Sequence, residues 1–558
     1  MRVLAGLLST VACLFAASTA HAADRVVVRF SSSADSADRS AARDAADASV
    51  VKNLPSLTGV QVVTVPEGDA TSAARALDRQ PGVLWAHPDH RVHAAMALPY
   101  SNPASGADQQ WGLYNHGQTI DRWWTGLTGV DGDFTPAWDS GAAGAGVTIA
   151  VVDTGVDFSI DDLRANEGAY QYDFVGKDGD AAPEANADDP EATSHGTAVA
   201  GVAAAALAVN GTSDDITGGA PAAKIMPLRA LDADGVGYAS DVAAAFAAAA
   251  EHGARVVNAS LSQSEASPEM ALAVHQHPNT LFVVAAGNGD AYYHGYDEDT
   301  AGTSADYPCV IPEANVVCVA AIDNRGDLAG FSNYGATQVD VAAPGVKILS
   351  YLRGGGSDYW NGTSFATPYV SAAAALALSV NQDATAPQLR QAIIDSAKPD
   401  AALQGKTVSG GMLDADALVR AAADLPPEPA PTYTAPPAAK PTPTPTPRPA
   451  PVATPAPKPA PAPIAKPAAP KSAKLSLYRP HRRGSRLSIS GRVAWSFHRT
   501  VTIKVCAGRH CRTARVTARR GRFWAKVRPS RRGRVVVTAT VRAGGGFKYA
   551  RTKRTVRF

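Results

Sequence analysis

The chain has 558 residues, 45% of them hydrophobic, a length that excludes a single ordinary domain. Its net charge of +1 excludes nothing until it is divided. Residues 472–558 carry 25 Lys and Arg and no Asp or Glu, which leaves 1–471 at a net −24, so the C-terminal region is expected to have an anionic partner of its own.

In chain order, Arg2, the apolar stretch Leu4 to Ala17 and Ala20-His21-Ala22 read as a secretory signal over 1–22. No later run reads as a membrane span; the Ala-rich stretch 241–250 is too short. Residues 23–96 form the next unit. A strand is expected at 25–30, a helix at 35–50, a strand at 60–65, a helix at 70–79 and a strand with a tail at 83–92. This is a small α+β domain of β-α-β-β-α-β style.

A larger domain is expected over 105–424. The strands are Val147 to Val152, Lys224 to Arg229, Arg255 to Leu261, Leu281 to Ala285 and Asn315 to Ala321. Helices are expected at 195–208, 240–252, 267–276 and 364–380. Continuous apolar strands alternating with helices predict an α/β fold with a doubly wound parallel sheet. Such sheets gather their sites at the carboxyl ends of strands, where Asp153, Asn258 and Asn288 stand.

Residues 425–471, rich in Pro, Ala, Thr and Lys, read as a semi-rigid linker. Over 472–558, period-two patterns such as Arg486-Leu-Ser-Ile-Ser-Gly-Arg-Val predict a small all-β, sandwich-like domain. Beyond Cys13 in the signal, four cysteines remain as two close pairs, Cys309 with Cys318 and Cys506 with Cys511. An even count in a secreted chain favours two disulfides, with free buried thiols as the alternative. The spacing does not suit a zinc site.

Three segments carry the chemistry: Val-Val-Asp-Thr-Gly (151–155), Ser-His-Gly-Thr (194–197) and Gly-Thr-Ser-Phe-Ala-Thr-Pro (362–368). They offer Asp153, His195 and Ser364. Serine is a weak nucleophile without an adjacent base; histidine is that base near neutral pH, and a buried aspartate holds its tautomer. Each residue alone has a plainer reading: Asp153 as a turn residue, His195 as a core histidine, Ser364 as a helix cap. Together, in the order Asp, His, Ser, they favour nucleophilic catalysis.

Residues 105–420 resemble the subtilisin-like serine proteases, the subtilase family. The resemblance rests on Ile-Ala-Val-Val-Asp-Thr-Gly-Val-Asp (149–157), His-Gly-Thr-Ala-Val-Ala-Gly (195–201), Asn-Gly-Thr-Ser-Phe-Ala-Thr-Pro (361–368) and Ala-Ala-Gly-Asn-Gly (285–289). Ala198 stands where many members have a second histidine, a position without catalytic duty. The resemblance implies a secreted serine endopeptidase made as a self-processing zymogen, acting through an acyl-enzyme. Asn288 and the Ser364 N–H would form the oxyanion hole, with the Thr363 hydroxyl in support. Asp157 would make structural hydrogen bonds. Gly235, Val236 and Gly237 on one side, and Ser260, Leu261 and Ser262 on the other, would be the cleft edges. The sequence has Ser262-Gln263 where members often have Gly-Gly, which would narrow or polarise the rim of the pocket for the residue preceding the cut. Gly287 and Gly289 would keep the far wall small. Apolar residues preceding the cut would be accepted broadly.

Residues 23–96 resemble the propeptide of the same family. Its tail, His90 to Met96, would lie in the cleft as an added strand, and be cut somewhere in 93–105. The chemistry would need no cofactor. Structural calcium is implied by Asp162, and by Asp214 in the loop 210–216, with oxygen ligands that suit this cation. The expected partners are polypeptide substrates, the propeptide and, through 472–558, an anionic cell-surface polymer, lipid surface or nucleic acid, although no nucleic-acid motif is present; a monomer is expected. The rival readings are a dedicated processing protease of narrow specificity and a surface-binding protein with a vestigial protease fold.

Overall fold

The computed structural model describes residues 24–433, apart from 67, 96, 101–108, 121–123, 187–188, 208–215, 291–292 and 303–304, together with strands between 471 and 557. The signal segment, nearly all of the linker and Asp214 lie outside the described residues. The chain forms two compact units, 1–441 and 442–558.

The first unit opens with β1 (Asp24–Phe30), α1 (Ser36–Asp44), β2 (Ser49–Leu54), β3 (Val60–Val65), α2 (Ala70–Asp78) and β4 (Val83–Pro88), in an antiparallel sheet of order β2-β3-β1-β4. The helix expected over 35–50 is shorter. Asp35 starts it with a capping box, and it ends before Asp47, which adopts a left-handed φ of 50°. The β-branched Val50 and Val51 then belong to β2, an edge strand paired with β3.

Period-two geometry explains why β1 and β3 are so rich in valine. Val26, Val28, Phe30, Val63 and Val65 pack with Ala42, Ala73 and Leu77 into a small core of their own. Val27, Val60 and Val62 face the other way, into a core that contains Val242, Ala243, Phe246 and Met270.

The chain continues with β5 (Arg91–Ala94), β6 (Ala97–Tyr100), a small hairpin of β7 (Thr119–Ile120) and β8 (Trp124–Thr125), and α3 (Phe134–Asp139). Next come β9 (Thr148–Asp153), α4 (Asp161–Arg164), β10 (Tyr172–Asp173), α5 (Pro190–Ala204), β11 (Lys224–Arg229), β12 (Val236–Tyr238), α6 (Ala239–Glu251), β13 (Val256–Ala259), β14 (Leu261–Ser262), α7 (Pro268–Gln276) and β15 (Leu281–Ala285). The unit closes with β16 (Val316–Ile322), β17 (Val341–Pro344), β18 (Val346–Tyr351), β19 (Ser357–Asn361), α8 (Thr363–Val380), α9 (Ala386–Ser396), β20 (Lys398–Pro399), β21 (Gly411–Met412) and α10 (Ala415–Ala423).

Nine strands form the central sheet in the order β10-β11-β9-β13-β15-β16-β17-β21-β20. Its pairs are parallel except the last, β21 with β20. The order reverses direction on either side of β9, the switch point at which such sheets hold their sites. Along β9, Ile149 and Val151 enter the core shared with α5, α8 and α10, whereas Ala150 and Val152 enter the core shared with α6 and α7. Helix α8 is long and apolar enough to span a bilayer, but 89% of it is buried inside this unit; it is apolar all round because it is a central core helix.

Among the described residues, the second unit has two antiparallel sheets and a short parallel pair, Lys471–Ser472 with Phe547–Lys548. One contains Leu475–Leu477, His481–Arg483, Arg486–Val493 and Arg522–Val527. The other contains Arg499–Ala507, His510–Ala518, Arg534–Val541 and Ala550–Arg557. Ile489, Ile503, Val505 and Val537 are buried. Cys506 is disulfide-bonded and lies opposite Cys511 in its hairpin; in the first unit Cys309 and Cys318 form a disulfide.

Candidate active site

Asp153 is the last residue of β9. It is fully buried, and its Oδ1 accepts the Thr154 N–H at 2.7 Å. His195, equally buried, places Nδ1 at 2.8 and 3.0 Å from the two carboxylate oxygens. The helix carrying His195 begins five residues earlier than expected. Asp189 caps it by accepting the Ala192 N–H, and Pro190 occupies its first turn, where a missing N–H costs nothing. His195 therefore sits in the second turn, fixed by helix on both sides. Gly196 is required there: a Cβ would stand 2.4 Å from the Gly155 carbonyl oxygen. Phe365 packs edge-on against the imidazole, with centroids 5.4 Å apart. The Nε2 atom is buried and has no hydrogen-bond partner among the described residues.

Ser364 is the second residue of α8, where backbone N–H groups point out of the helix. The turn before it needs Gly362, whose φ is 151°, in a region essentially restricted to glycine. Pro368, inside the helix, has no N–H for the Ser364 carbonyl. The Ser260 hydroxyl fills that gap, donating to the Ser364 carbonyl at 2.7 Å. Ser260 Oγ accepts from Asn258 Nδ2 at 2.9 Å, and Asn258 Oδ1 accepts from the Ser371 hydroxyl at 2.9 Å. A buried polar chain thus ties β13 to α8.

The cleft between β12 and β14 holds β5 as the middle strand of three. Val236 pairs with His93 and Gly237 with Val92, all antiparallel; Leu261 pairs with Ala94 and Ser262 with His93 on the other side. The Ala94 N–H donates to the Gly235 carbonyl at 2.9 Å, and the Ala95 N–H to the Ser260 carbonyl at 3.1 Å. Within the tail expected near His90 to Met96, Arg91–Ala94 therefore lies as an added strand. Sequence reasoning missed its continuation: β6 pairs antiparallel with β19, the strand that leads into Gly362 and Ser364.

The Ala95 carbonyl oxygen accepts from three donors. These are the Ser364 N–H at 3.4 Å, the Ser364 hydroxyl and the Asn288 side-chain amide. The Ser364 hydroxyl also approaches the Ser260 carbonyl at 3.0 Å. Thr363 has a different geometry from the one expected. Its N–H and hydroxyl both donate to Asn288 Oδ1, at 2.9 and 3.0 Å, and its Oγ1 accepts the Gly287 N–H at 3.2 Å. It orients Asn288 and does not itself reach the Ala95 carbonyl.

Gly287 and Gly289 have no room for a side chain. A Cβ on Gly287 would stand 2.1 Å from Asp306 Oδ2, and one on Gly289 would stand 2.0 Å from the His294 carbonyl oxygen; their φ angles are 97° and 69°. Burial pushes the Asp306 carboxyl up to about 7 and that of the neighbouring Glu298 up to about 8.

Asp157 accepts the N–H groups of Ser159 and Gly354 at 2.9 and 2.6 Å, a local structural use. Asp162 is buried and its Oδ2 accepts the Tyr351 hydroxyl. Among the described residues no group of three or more His, Cys, Asp and Glu side chains is arranged to hold a metal. The expected calcium ligand Asp162 is thus engaged with Tyr351, while Asp214 and most of the loop 210–216 expected beside it lie outside the described residues.

Comparison with known proteins places these motifs. The profile described as "Subtilase family" matches residues 144–416, and that described as "Fervidolysin N-terminal prodomain" matches 15–89. The chain is 35% identical over 332 residues to a "Thermophilic serine proteinase" from Bacillus sp. (strain AK1), spanning 59% of this chain and 71% of that protein. It is 37% identical over 261 residues to "Thermitase" from Thermoactinomyces vulgaris, across 47% of this chain and 84% of that protein. To an "Extracellular protease" from Xanthomonas campestris pv. campestris it is 32% identical over 396 residues, 63% of this chain and 62% of that protein.

Proposed function

Since the chain belongs to the subtilase family of serine proteases and carries the family's prodomain, we propose that it is a secreted endopeptidase that matures itself by cutting the bond between Ala95 and Met96. The observation that carries this reading is the Ala95 carbonyl oxygen, which accepts from the Ser364 N–H, the Ser364 hydroxyl and Asn288.

In the reaction, the Ser364 hydroxyl rotates from its carbonyl acceptors toward His195 Nε2, which is buried without a hydrogen-bond partner among the described residues. Oγ attacks the Ala95 carbonyl carbon as Nε2 takes its proton. Asp153, on Nδ1, stabilises the resulting imidazolium. The oxyanion is held by the Ser364 N–H and Asn288 Nδ2. The C–N bond breaks as His195 passes the proton to the leaving Met96 nitrogen. Water then repeats the sequence on the acyl-enzyme at Ser364. Peptide substrates would pair with Gly235 to Gly237 and Ser260 to Ser262 as β5 does, with a small residue such as Ala95 preceding the cut.

The proposed organisation is a signal (1–22), an inhibitory prodomain (23–96), a peptidase domain (105–424), a Pro-rich linker (425–471) and a basic domain (472–558) that holds the enzyme at an anionic cell-surface polymer. The charge of that last region, 25 cationic and no acidic residues, supports salt-dependent binding. The extracellular setting is supported by the cysteine pairs and by the Xanthomonas relative's description.

The test is N-terminal sequencing of the secreted protein, with fluorophosphonate labelling, in wild type and Ser364→Ala. A wild type that starts at Met96 and is labelled, beside an unlabelled variant that keeps its prodomain, is the expected result. A folded wild type that neither labels nor loses residues 23–95 would overturn the reading; a mature start elsewhere would overturn the cleavage site.

A further inference from the structure

Asn288 stands in the loop that follows β15, and the backbone on both sides of it is held by one distant side chain. Asn333 is fully buried. Its Nδ2 donates to the Ala286 carbonyl at 2.9 Å, and its Oδ1 accepts the Gly289 N–H at 2.9 Å. Its own backbone N–H donates to the Gly287 carbonyl at 3.0 Å. One residue therefore fixes the positions before and after Asn288. The same Oδ1 accepts the Tyr296 N–H at 3.2 Å.

Asn333 is itself locked from behind. Nδ2 also lies 2.7 Å from Glu298 Oε1 and 2.8 Å from Asp306 Oδ2. Asp306 Oδ2 accepts the Tyr296 hydroxyl at 2.9 Å, and Glu298 Oε2 accepts the Asp306 N–H at 3.0 Å. The Asp306 carboxyl sits where a Cβ on Gly287 would have to go, so the loop cannot relax backward.

We propose that Asn333 is a positioning residue for the protease reaction: it clamps the Ala286–Gly289 segment so that Asn288 Nδ2 meets the carbonyl of the bond being cut. The proposal rests on the protease reading above. Asn333 touches no reacting atom and acts only through Asn288. Thr363 holds the Asn288 side chain from one side, and Asn333 holds its backbone from the other. Together they leave the amide a single direction in which to donate.

The experiment is a double-mutant cycle on first-order self-cleavage of the full-length chain, which needs no added substrate. Asn288→Ala is expected to slow cleavage about 10²–10³-fold. Asn333→Ala is expected to slow it about 10–100-fold, as misplacement of a catalytic group by a distant change does. The double variant should be no slower than Asn288→Ala within about twofold, because the clamp has nothing left to aim. Fully additive losses would overturn the proposal, since a merely structural role lowers the folded fraction whether or not Asn288 is present. An Asn333→Ala rate equal to wild type would overturn it too. If Asn333→Ala does not fold, Asn333→Asp, which keeps the acceptor for the Gly289 and Tyr296 amides, takes its place in the cycle: non-additive losses support the clamp, and additive losses or a wild-type rate overturn it. A wild-type chain that never cleaves itself would instead sink the protease reading.

Discussion

Strand β1 of the prodomain and strand β9 of the peptidase domain are both runs of buried aliphatic residues, yet their two faces meet different fates. Both faces of β9 are covered by helices of its own domain. In β1, Val26, Val28 and Phe30 enter the prodomain's small core, whereas Val27 is covered together with residues of α6 and α7. The same division recurs in β3 between Val63 and Val62. The peptidase domain thus supplies its own cover, and the prodomain borrows half of its cover from the peptidase domain. In a small domain, burial on one face is marginal for stability, so folding of the prodomain and its docking on the peptidase domain draw on the same side chains.

The largest effect we expect lies within the self-sufficient region. Asn288→Ala should slow processing about 10²–10³-fold while leaving docking of β5 intact, read by gel as slow loss of the prodomain from a folded chain. Processing at wild-type speed would show that the Ser364 N–H suffices.

Val62→Ala and Val63→Ala probe the division directly, since both side chains are fully buried. Each removes two methyl groups, worth roughly 2 kcal/mol, or about 30-fold in an equilibrium. Val62→Ala should hasten release of the cleaved prodomain by about that factor, measured as recovery of peptidase activity. Val63→Ala should act mainly on prodomain folding. Equal release rates would erase the distinction between the two faces.

Ser260→Ala leaves the buried Ser364 carbonyl without its donor above Pro368. We expect a loss of about 1–3 kcal/mol, seen as a lower urea midpoint of the matured enzyme. An unchanged midpoint would show that the carbonyl finds another partner.

The smallest effect is the pH dependence of the borrowed cover. His87 of the prodomain lies 2.9 Å from the fully buried Glu269 of α7. Burial alone would lower its pKa, but the hydrogen bond and charge of Glu269 raise it above the usual 6.5. A raised value means that this contribution to docking is full below pH 6.5 and fades as pH rises through the docked value. Asp89, pushed by burial from 3.8 up to about 6, takes up a proton on docking, so its cost grows between those values and is complete above them. Both groups make the prodomain leave more readily at pH 8 than at pH 5.5, by a few-fold in release rate. Glu269→Gln should flatten the rise above pH 6.5; an unaltered pH profile would remove His87 from the account.

Much of the peptidase domain is legible in the sequence. The strand expected at Lys224 to Arg229 has those bounds, and that at Leu281 to Ala285 likewise, because a parallel strand buried on both faces is an unbroken apolar run. The start of α5 is readable in Asp189-Pro190, a cap followed by a proline suited to the first turn, but the reactive His195 draws the expected start past it. The end of α1 is harder. Ala45, Ala46 and Ala48 favour helix past Asp44, and only pairing with β3 makes the Val50–Val51 segment strand.

What the sequence by itself determined is local: which residue types stand next to Asp153, His195, Asn288 and Ser364, which strands are covered on both faces, and where charge is segregated. These follow from periodicity and from backbone needs such as Gly362. Tertiary structure alone decided what covers the second face of β1, that Thr363 bonds Asn288 and Asn333 bonds its loop, that Gly287 is small to admit Asp306, and that the Ala95 carbonyl meets Ser364 and Asn288. Ala95 and Ser364 are 269 positions apart. No spacing rule spans such a distance, because the meeting is fixed by the register of β5 between β12 and β14, and register is a property of three strands at once.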